Sequence, residues 1–256
     1  MKKILFFDVD GTLYNSDKKL PSSAKEALLQ ARANGYELAI ATGRAPYMIE
    51  ELREELGIDT YVTLNGQYVV YKGEVIFTDK INDEILDELV KVSATQGHPV
   101  VFIDEKHMIA SMPEHEGIRG SLATLHCPYP QVVPDYYKNN PVYQTLLFMR
   151  EHEETQYIEA FPDIQFVRWH KEVCDVLPKG GSKARGIQKL LEKTGYTMES
   201  VIAFGDGTND IEMLQQAGIG VVMGNGHIDA KKVADVQAPH VDDDGIYKVM
   251  KELELI

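Results

Sequence analysis

Ile4 to Phe7 (ILFF) is an unbroken apolar run that ends on two aspartates, Asp8 and Asp10, spaced one apart. Four apolar residues without alternation predict a parallel strand buried on both faces. The period then changes. In LPSSAKEALLQARANG, Ala24, Ala27, Leu28 and Ala31 recur at helical spacing, with Ser22 or Ser23 as N-cap and Gly35 at the close. YELAIAT reads as a second strand and TYVTLNG as a third. Between them PYMIEELREELG reads as a helix, with Ile49, Leu52 and Leu56 on one face and Gly57 at its end. This alternation implies a parallel sheet with helices on its faces.

After the third strand the grammar differs. QYVVYKGEVIFTD predicts a hairpin turning at Lys72-Gly73, and NDEILDELVKVSATQG a helix capped by Asn82. Between Pro99 and Pro178 strand-like runs predominate: VVFID, HMIASM, VYQTLLFM, IQFVRWH and VCDVLP. The Pro-rich stretch CPYPQVVPDYYKNNP interrupts them and reads as a long surface loop. The βα alternation then returns with helix SKARGIQKLLEKTG, strand SVIAFGD, helix DIEMLQQAG, strand IGVVMG and helix GIYKVMKEL. The pattern therefore predicts a doubly wound, Rossmann-like parallel-sheet α/β core, residues 1–81 and 180–256, with an inserted α+β domain at 82–179.

Composition narrows the field. With 26 basic and 40 acidic residues the net charge is −14, which argues against a nucleic-acid-binding face and favours small ligands. An anionic ligand would need a local positive pocket within that field. Lys2 and Lys3 imitate the start of a signal peptide, but the apolar run stops after Phe7 and no small-residue cleavage site follows. No stretch approaches membrane-spanning length. Cys127 and Cys174 form no C-x-x-C pair and read as free thiols. A cytoplasmic protein with no membrane attachment and no obligate protein partner is expected.

Open α/β sheets bind ligands beyond the carboxyl ends of their strands, and four polar segments fall there. The first is Asp8-Val9-Asp10-Gly11-Thr12, in which Asp8 and Asp10 face one side of an extended chain and Gly11 permits a tight turn. The second, Ala41-Thr42-Gly43-Arg44, offers a hydroxyl, a bare backbone amide and a guanidinium, all suited to phosphate. The third is Lys183, which opens a helix after two glycines; the fourth is GDGTND, carrying Asp206 and Asp210. Each motif alone is commonplace, and their joint placement is the signal. Asp8, Asp10 and Asp206 in one cleft would repel unless a hard divalent cation joined them. An all-oxygen donor set suits Mg²⁺, and no His/Cys cluster competes for zinc. Thr42, Gly43 and Lys183 would hold a phosphoryl group opposite a carboxylate nucleophile.

These four segments resemble the four motifs of the haloacid dehalogenase-like superfamily of phosphotransferases. The insert between ATGR and GGSK resembles the type IIB cap of the Cof-type phosphatases, and TLNG and VVMGNGHIDAKKVAD are similar to features of that subfamily. The resemblance implies a phosphatase acting on a small phosphorylated metabolite, with sugar phosphates favoured and nucleotide or flavin phosphates possible. It implies Asp8 as nucleophile, forming an aspartyl-phosphate, and Asp10 as general acid and base. Asp8, the Asp10 backbone carbonyl and Asp206 would hold Mg²⁺. The Val9 amide, Thr42, Gly43, Lys183 and Asn209 would hold the phosphate. Asp210 would orient Lys183 or a metal-bound water, and Arg44 would touch substrate or cap. The chain departs from the family in Leu64 and Gln67, where Ser and Ala are frequent, and in Gly226, where Ala is usual.

Two other readings remain at this stage: a sugar phosphomutase, and a phosphate-binding regulator without turnover. In the insert, His115, His126, His170, Trp169, Tyr129, Tyr136 and Tyr137 could reach an organic substrate, although packing roles are commoner for such residues. Asp242 to Asp244 lack calcium-loop spacing and read as a solvated helix start.

Overall fold

A computed structural model describes residues 3–256. Met1 and Lys2, and with Lys2 one of the two leading lysines, lie outside the described residues. In chain order, β1 (Ile4–Phe7), α1 (Ser22–Ala33), β2 (Glu37–Ala41), α2 (Glu50–Leu56), β3 (Tyr61–Thr63), β4 (Tyr68–Tyr71) and β5 (Glu74–Thr78) come first. Then follow α3 (Asp83–Thr95), β6 (Val100–Ile103), β7 (Met108–Ala110), α4 (Glu116–Ala123), β8 (Gln131–Val132), β9 (Gln144–Phe148), α5 (Glu154–Ala160), β10 (Ile164–His170) and β11 (Val173–Pro178). The last part is α6 (Lys183–Thr194), β12 (Val201–Gly205), α7 (Ile211–Gln216), β13 (Ile219–Val222), α8 (Ile228–Val233), β14 (Val236–Gln237) and α9 (Gly245–Glu252). Among the described residues no helix is long and apolar enough to cross a membrane.

The chain divides into two compact units, and the first comprises Met1–Arg44, Met48–Phe77 and Ser182–Ile256. Its sheet runs β14-β13-β12-β1-β2-β3-β4-β5. The pairs from β14 to β3 are parallel and β4 turns back antiparallel to β3. β1 sits between β2 and β12, and all four of its side chains are fully buried. Alternation sends them two ways. Leu5 and Phe7 join Ala27 and Leu28 of α1 with Val249 and Met250 of α9. Ile4 and Phe6 join Ile187 and Leu190 of α6 with Met213 and Leu214 of α7. Each such burial stabilises by roughly 2 kcal/mol, so one strand anchors both helical layers. This is the physical content of the unbroken ILFF run.

Several local expectations need correction. The N-cap of α1 is Pro21, with φ −62° and ψ 142°, and Ser22 is already helical. Ser23 instead donates its hydroxyl to Asp244 Oδ1 at 2.6 Å. The segment read as one helix from Pro46 divides into a tight 3₁₀ turn, Pro46–Ile49, and α2, which ends on left-handed Gly57. The hairpin turn has Lys72 and Gly73 both at positive φ, 51° and 80°, as a two-residue turn matching strand twist requires. The helix α8 and the short strand β14 in HIDAKKVADVQ were not anticipated; six residues and two are too few for periodicity to register.

The second unit comprises Ala45–Tyr47 and Thr78–Gly181. Its six-stranded sheet runs β10-β11-β9-β6-β7-β8, antiparallel apart from the β7–β8 pair. Leu86 and Leu89 of α3 and Tyr157 of α5 pack with Phe102, Leu147 and Val176 of the sheet. Ile81 lies in this core and donates its amide to the Val142 carbonyl at 2.8 Å, so the unit begins before the residue-82 boundary drawn from the sequence. Asn82 caps α3, accepting from the amides of Glu84 and Ile85. Two helices in this unit, α4 and α5, carry no strong sequence signal: α4 holds two glycines, and α5 buries only Tyr157. The Pro-rich stretch is not wholly a surface loop, because it forms β8 and buries Tyr137.

Gly66 closes the turn after β3 at φ +96°, where an added Cβ would overlap the Ser182 carbonyl oxygen at the start of α6. Gly66→Ala is expected to destabilise the protein by roughly 3 kcal/mol, because clash and positive φ act together. Urea unfolding measures it; a loss below about 1 kcal/mol would show that α6 can retreat at little cost.

Candidate active site

The parallel register brings together the residues that end three strands. β1 delivers Asp8, whose amide extends the ladder by donating to the Phe204 carbonyl at 2.9 Å. β2 delivers Thr42, and β12 delivers Asp206. The turn after Asp10 passes very close to Asp206: Gly11 stands at φ +79°, and a Cβ there would overlap the Asp206 carboxylate. A side chain at position 11 would therefore push apart the first and fourth segments.

Lys183 is a deeply buried charge, 1% exposed. Its Nζ donates to Asp8 Oδ1 at 2.6 Å and to Asp210 Oδ1 at 2.5 Å. Ser182 starts its helix by accepting from the Arg185 amide, which sets Lys183 in the first turn. Burial alone would drive the Lys183 ammonium to lose its proton, but Asp210 and then Asp8 outweigh that and raise its pKa. Asp210 is fully occupied. Its Oδ2 accepts the backbone amides of Asp206 and Gly207 at 2.9 and 2.8 Å while Oδ1 takes Lys183. It thus orients Lys183 and shapes the Asp206 turn.

Asp10 is held differently. The Arg44 guanidinium binds it with both arms, Nε to Oδ2 at 2.6 Å and Nη2 to Oδ1 at 2.8 Å. Lys18 Nζ adds a third bond to Oδ1 at 2.7 Å. Burial pushes the Asp10 carboxyl up, yet Arg44 and Lys18 together hold it down at about 2. Arg44 also lies over the Tyr14 ring, 5.6 Å from its centroid. The resemblance places Arg44 at substrate or cap and does not single out Lys18, whereas both cations bind Asp10. The only available hint for Lys18 was a basic residue shortly after the D-x-D turn.

The remaining carboxylate, Asp206, accepts from Thr12 Oγ1 at 3.4 Å and from Asn225 Nδ2 at 3.2 Å. Burial and then the Asp210 charge raise its pKa to about 6. Asp8 is likewise raised by burial, against the pull of Lys183, with Asp210 and Asp206 adding to the effect. Oxygen atoms of Asp8, Asp206 and Asp210 lie within 4.8 Å of one another. Carboxylates whose protons are hard to remove, with an all-oxygen donor set, fit a hard divalent cation. Asp210 holds Lys183 and two backbone amides at 2.5 to 2.9 Å, whereas Asp206 accepts only longer bonds, at 3.4 and 3.2 Å, so Asp8 and Asp206 are the carboxylates better suited to it. Asn225 also donates to the Gly11 carbonyl at 2.8 Å and accepts from the Val241 amide at 3.0 Å, tying the MGNG loop to the site.

The expected phosphate-holding groups have the following partners. Thr42 is buried and its Oγ1 accepts the Arg44 amide at 3.2 Å. Val9 is fully buried, its carbonyl accepting from the Tyr14 amide at 2.7 Å. Gly43 packs against Asn65, and Asn209 donates to Asn65 Oδ1 at 2.9 Å. His115, His126, His170, Trp169, Tyr129, Tyr136 and Tyr137 belong to the second unit. Several serve its architecture: Trp169 Nε1 donates to Asp175 at 2.8 Å, Tyr136 donates to Asp104, and Tyr137 donates to Asp87 at 2.9 Å. Asp242 and Asp244 accept from Ser16 and Ser23 and so fasten loops of the first unit.

Residues 5–250 match the haloacid dehalogenase-like hydrolase family, and the chain belongs to it. Within that family it is a Cof-type member of the subclass with a type IIB cap. Its solved neighbours include the HAD subclass IIB sugar phosphatase BT4131, with TM-score 0.90 and 35% identity over the full length of both chains. A Bacillus subtilis protein named "Putative phosphatase YkrA" is 39% identical over 99% of this chain and 98% of its own. The pyridoxal phosphate phosphatase YbhA of Escherichia coli is 30% identical over 91% of this chain and 92% of its own.

Asp210→Asn should leave Lys183 with one charged partner in a buried site. A stability loss of about 3 kcal/mol is expected from denaturant unfolding, since the remaining ions lose their balance. Arg44→Ala removes the two-armed grip on Asp10, leaving burial opposed by Lys18 alone. The Asp10 carboxyl pKa should rise, so the acid limb of the pH–rate profile should move to higher pH than in wild type. An unchanged profile would show that Arg44 does not set the Asp10 charge.

Proposed function

We propose that the protein hydrolyses small phosphomonoesters, sugar phosphates foremost, by a Mg²⁺-dependent route through an aspartyl-phosphate on Asp8. The observation that carries this reading is the Lys183 ammonium locked between Asp8 and Asp210, with the separately held Asp10 beside it. One carboxylate is set to attack and another to exchange protons. The similarity to a named sugar phosphatase and to a named pyridoxal phosphate phosphatase supports a small phosphorylated metabolite as partner.

In this reading Asp8 attacks phosphorus, the bond to the leaving oxygen breaks, and that oxygen takes a proton from Asp10. A water then gives its proton to Asp10 and attacks phosphorus, releasing inorganic phosphate and restoring Asp8. Lys183, Thr42, the Val9 and Gly43 amides and Asn209 hold the phosphoryl oxygens as charge redistributes over them. Held by Arg44 and Lys18, Asp10 is ionised, the form needed to accept a proton from water. To donate one, it must first be released from that grip and take up a proton from solvent, and an incoming phosphate is the anion able to draw a cation away. Mg²⁺, held by Asp8, Asp206 and the Asp10 carbonyl, would offset the mutual repulsion of carboxylates and phosphate.

A metabolite phosphatase panel with and without Mg²⁺ tests the reading, with Asp8→Asn as control. Inorganic phosphate should be released only with metal and only by wild type. An isomeric phosphate as product would identify a mutase, and no turnover by folded protein would leave a binding regulator. A second test uses the raised carboxyls. Without metal, an acid with an elevated folded pKa favours the native state only while protonated. Stability should therefore decline as pH rises from about 4 to about 6. Mg²⁺ should restore it, raising Tm strongly at pH 7.5 and little at pH 5. An equal increment at both pH values would argue against binding at Asp206.

A further inference from the structure

Asn65 lies in none of the four polar segments, yet it joins two of them. Its Oδ1 accepts from Asn209 Nδ2 at 2.9 Å. Its backbone amide donates to the Thr42 carbonyl at 3.1 Å, and its carbonyl accepts from Gln67 Nε2 at 3.2 Å. A Cβ built on Gly43 would stand 3.1 Å from both polar atoms of its carboxamide, so the side chain lies flat against that glycine. The residue is 2% exposed. Its backbone is left-handed, φ 51° and ψ 38°, and Leu64 before it is also at positive φ. Such a conformation costs free energy in a non-glycine residue, and Asn tolerates it best. Two consecutive residues are held this way to aim one buried carboxamide.

That carboxamide meets a group whose orientation matters. A terminal amide can present either its oxygen or its nitrogen in nearly the same space. An oxygen acceptor at Asn65 obliges Asn209 to turn its nitrogen that way. The Asn209 oxygen then lies over Gly207, where a Cβ would stand 2.7 Å from it. One N–H of Asn209 goes to Asn65, and the second remains for an anionic oxygen.

We propose that Asn65 is a positioning residue for phosphate recognition: it fixes the Asn209 amide in its donating orientation and keeps it in register with Thr42 and Gly43. The proposal rests on the reading that Asn209 touches the phosphoryl group, and the experiment separates the two. Inhibition by inorganic phosphate and KM are measured for wild type and for Asn65→Gly, which keeps the left-handed backbone and deletes the side chain. They are also measured for Asn65→Asp, which keeps the acceptor, and for each in combination with Asn209→Ala. Asn209→Ala alone should weaken phosphate inhibition about tenfold, the scale of one hydrogen bond to a charged group. In the Asn65→Gly background the same change should weaken it less than about twofold, because the orientation is already lost. In the Asn65→Asp background it should keep its full factor. Asn65→Ser, a second truncation, should match Asn65→Gly and carries the test if the glycine variant does not fold. A full tenfold effect of Asn209→Ala in the truncated backgrounds would overturn the proposal. No effect of Asn209→Ala in wild type would overturn the reading beneath it, and the proposal with it.

Discussion

A buried ammonium between two carboxylates is the constraint on which the site depends. Lys183 comes from the start of α6, Asp8 from the end of β1 and Asp210 from the turn before α7. None of these charges could remain buried without the others, since an unpaired ion in such a place costs several kcal/mol. The interaction therefore fixes where α6 begins relative to β1. It sets the Asp206 turn through the second oxygen of Asp210, and it gives the Asp8 carboxylate a positive neighbour in Lys183. The aspartate two residues on, Asp10, is governed by a separate pair of cations. Two carboxylates in nearly the same stretch of chain thus acquire opposite electrostatic characters: Asp8 is pushed up by burial, and Asp10 is held down by Arg44 and Lys18. That separation is what distinct roles in one reaction require.

Much of this was legible in the chain because it follows from strand periodicity and from where polar residues interrupt it. ILFF announces a strand buried on both sides, and Asp8, Thr42 and Asp206 each stand at the carboxyl end of a predicted strand. Side-chain pairing was not legible. Nothing in the spacing of Asp10, Lys18 and Arg44 shows that two cations would converge on one carboxylate, since the loop that carries Lys18 curls back through the turn at Asn15. In the sequence Asn65 stands out only as part of TLNG, because a left-handed Asn looks like any turn residue until its neighbours are known. In the second unit the misses have another origin. Helices of seven or eight residues that bury one or a few side chains leave no periodic trace. Tyr137 is buried in a Pro-rich stretch whose composition suggests exposure.

Glycine governs how tightly the segments can meet. Gly11 admits Asp206, Gly43 admits the Asn65 carboxamide, and Gly66 admits the start of α6. At Gly11 and Gly66 the neighbour comes closer than a β-carbon would allow, and at Gly43 a β-carbon would fit only tightly. The polar groups of the site are thereby closely packed, with hydrogen bonds in place of methyl contacts. Such density restricts alternative rotamers, and a preorganised set of donors is what stabilisation of developing charge demands.

The position of β1 has a consequence for how the molecule comes into being. β1 needs β12 along one edge, and Asp8 at its end needs Lys183, itself held by Asp210, as its charge partner. All of these lie more than 170 residues further on. During synthesis β1 can pair with β2 but must wait with its other edge open, while the inserted unit is completed in between. Closure of the first unit is therefore a late event, bringing together segments far apart in the chain. The same arrangement ties assembly of the site to synthesis of the segment from α6 onward: a nascent chain that has not reached α6 has neither a finished sheet nor a site.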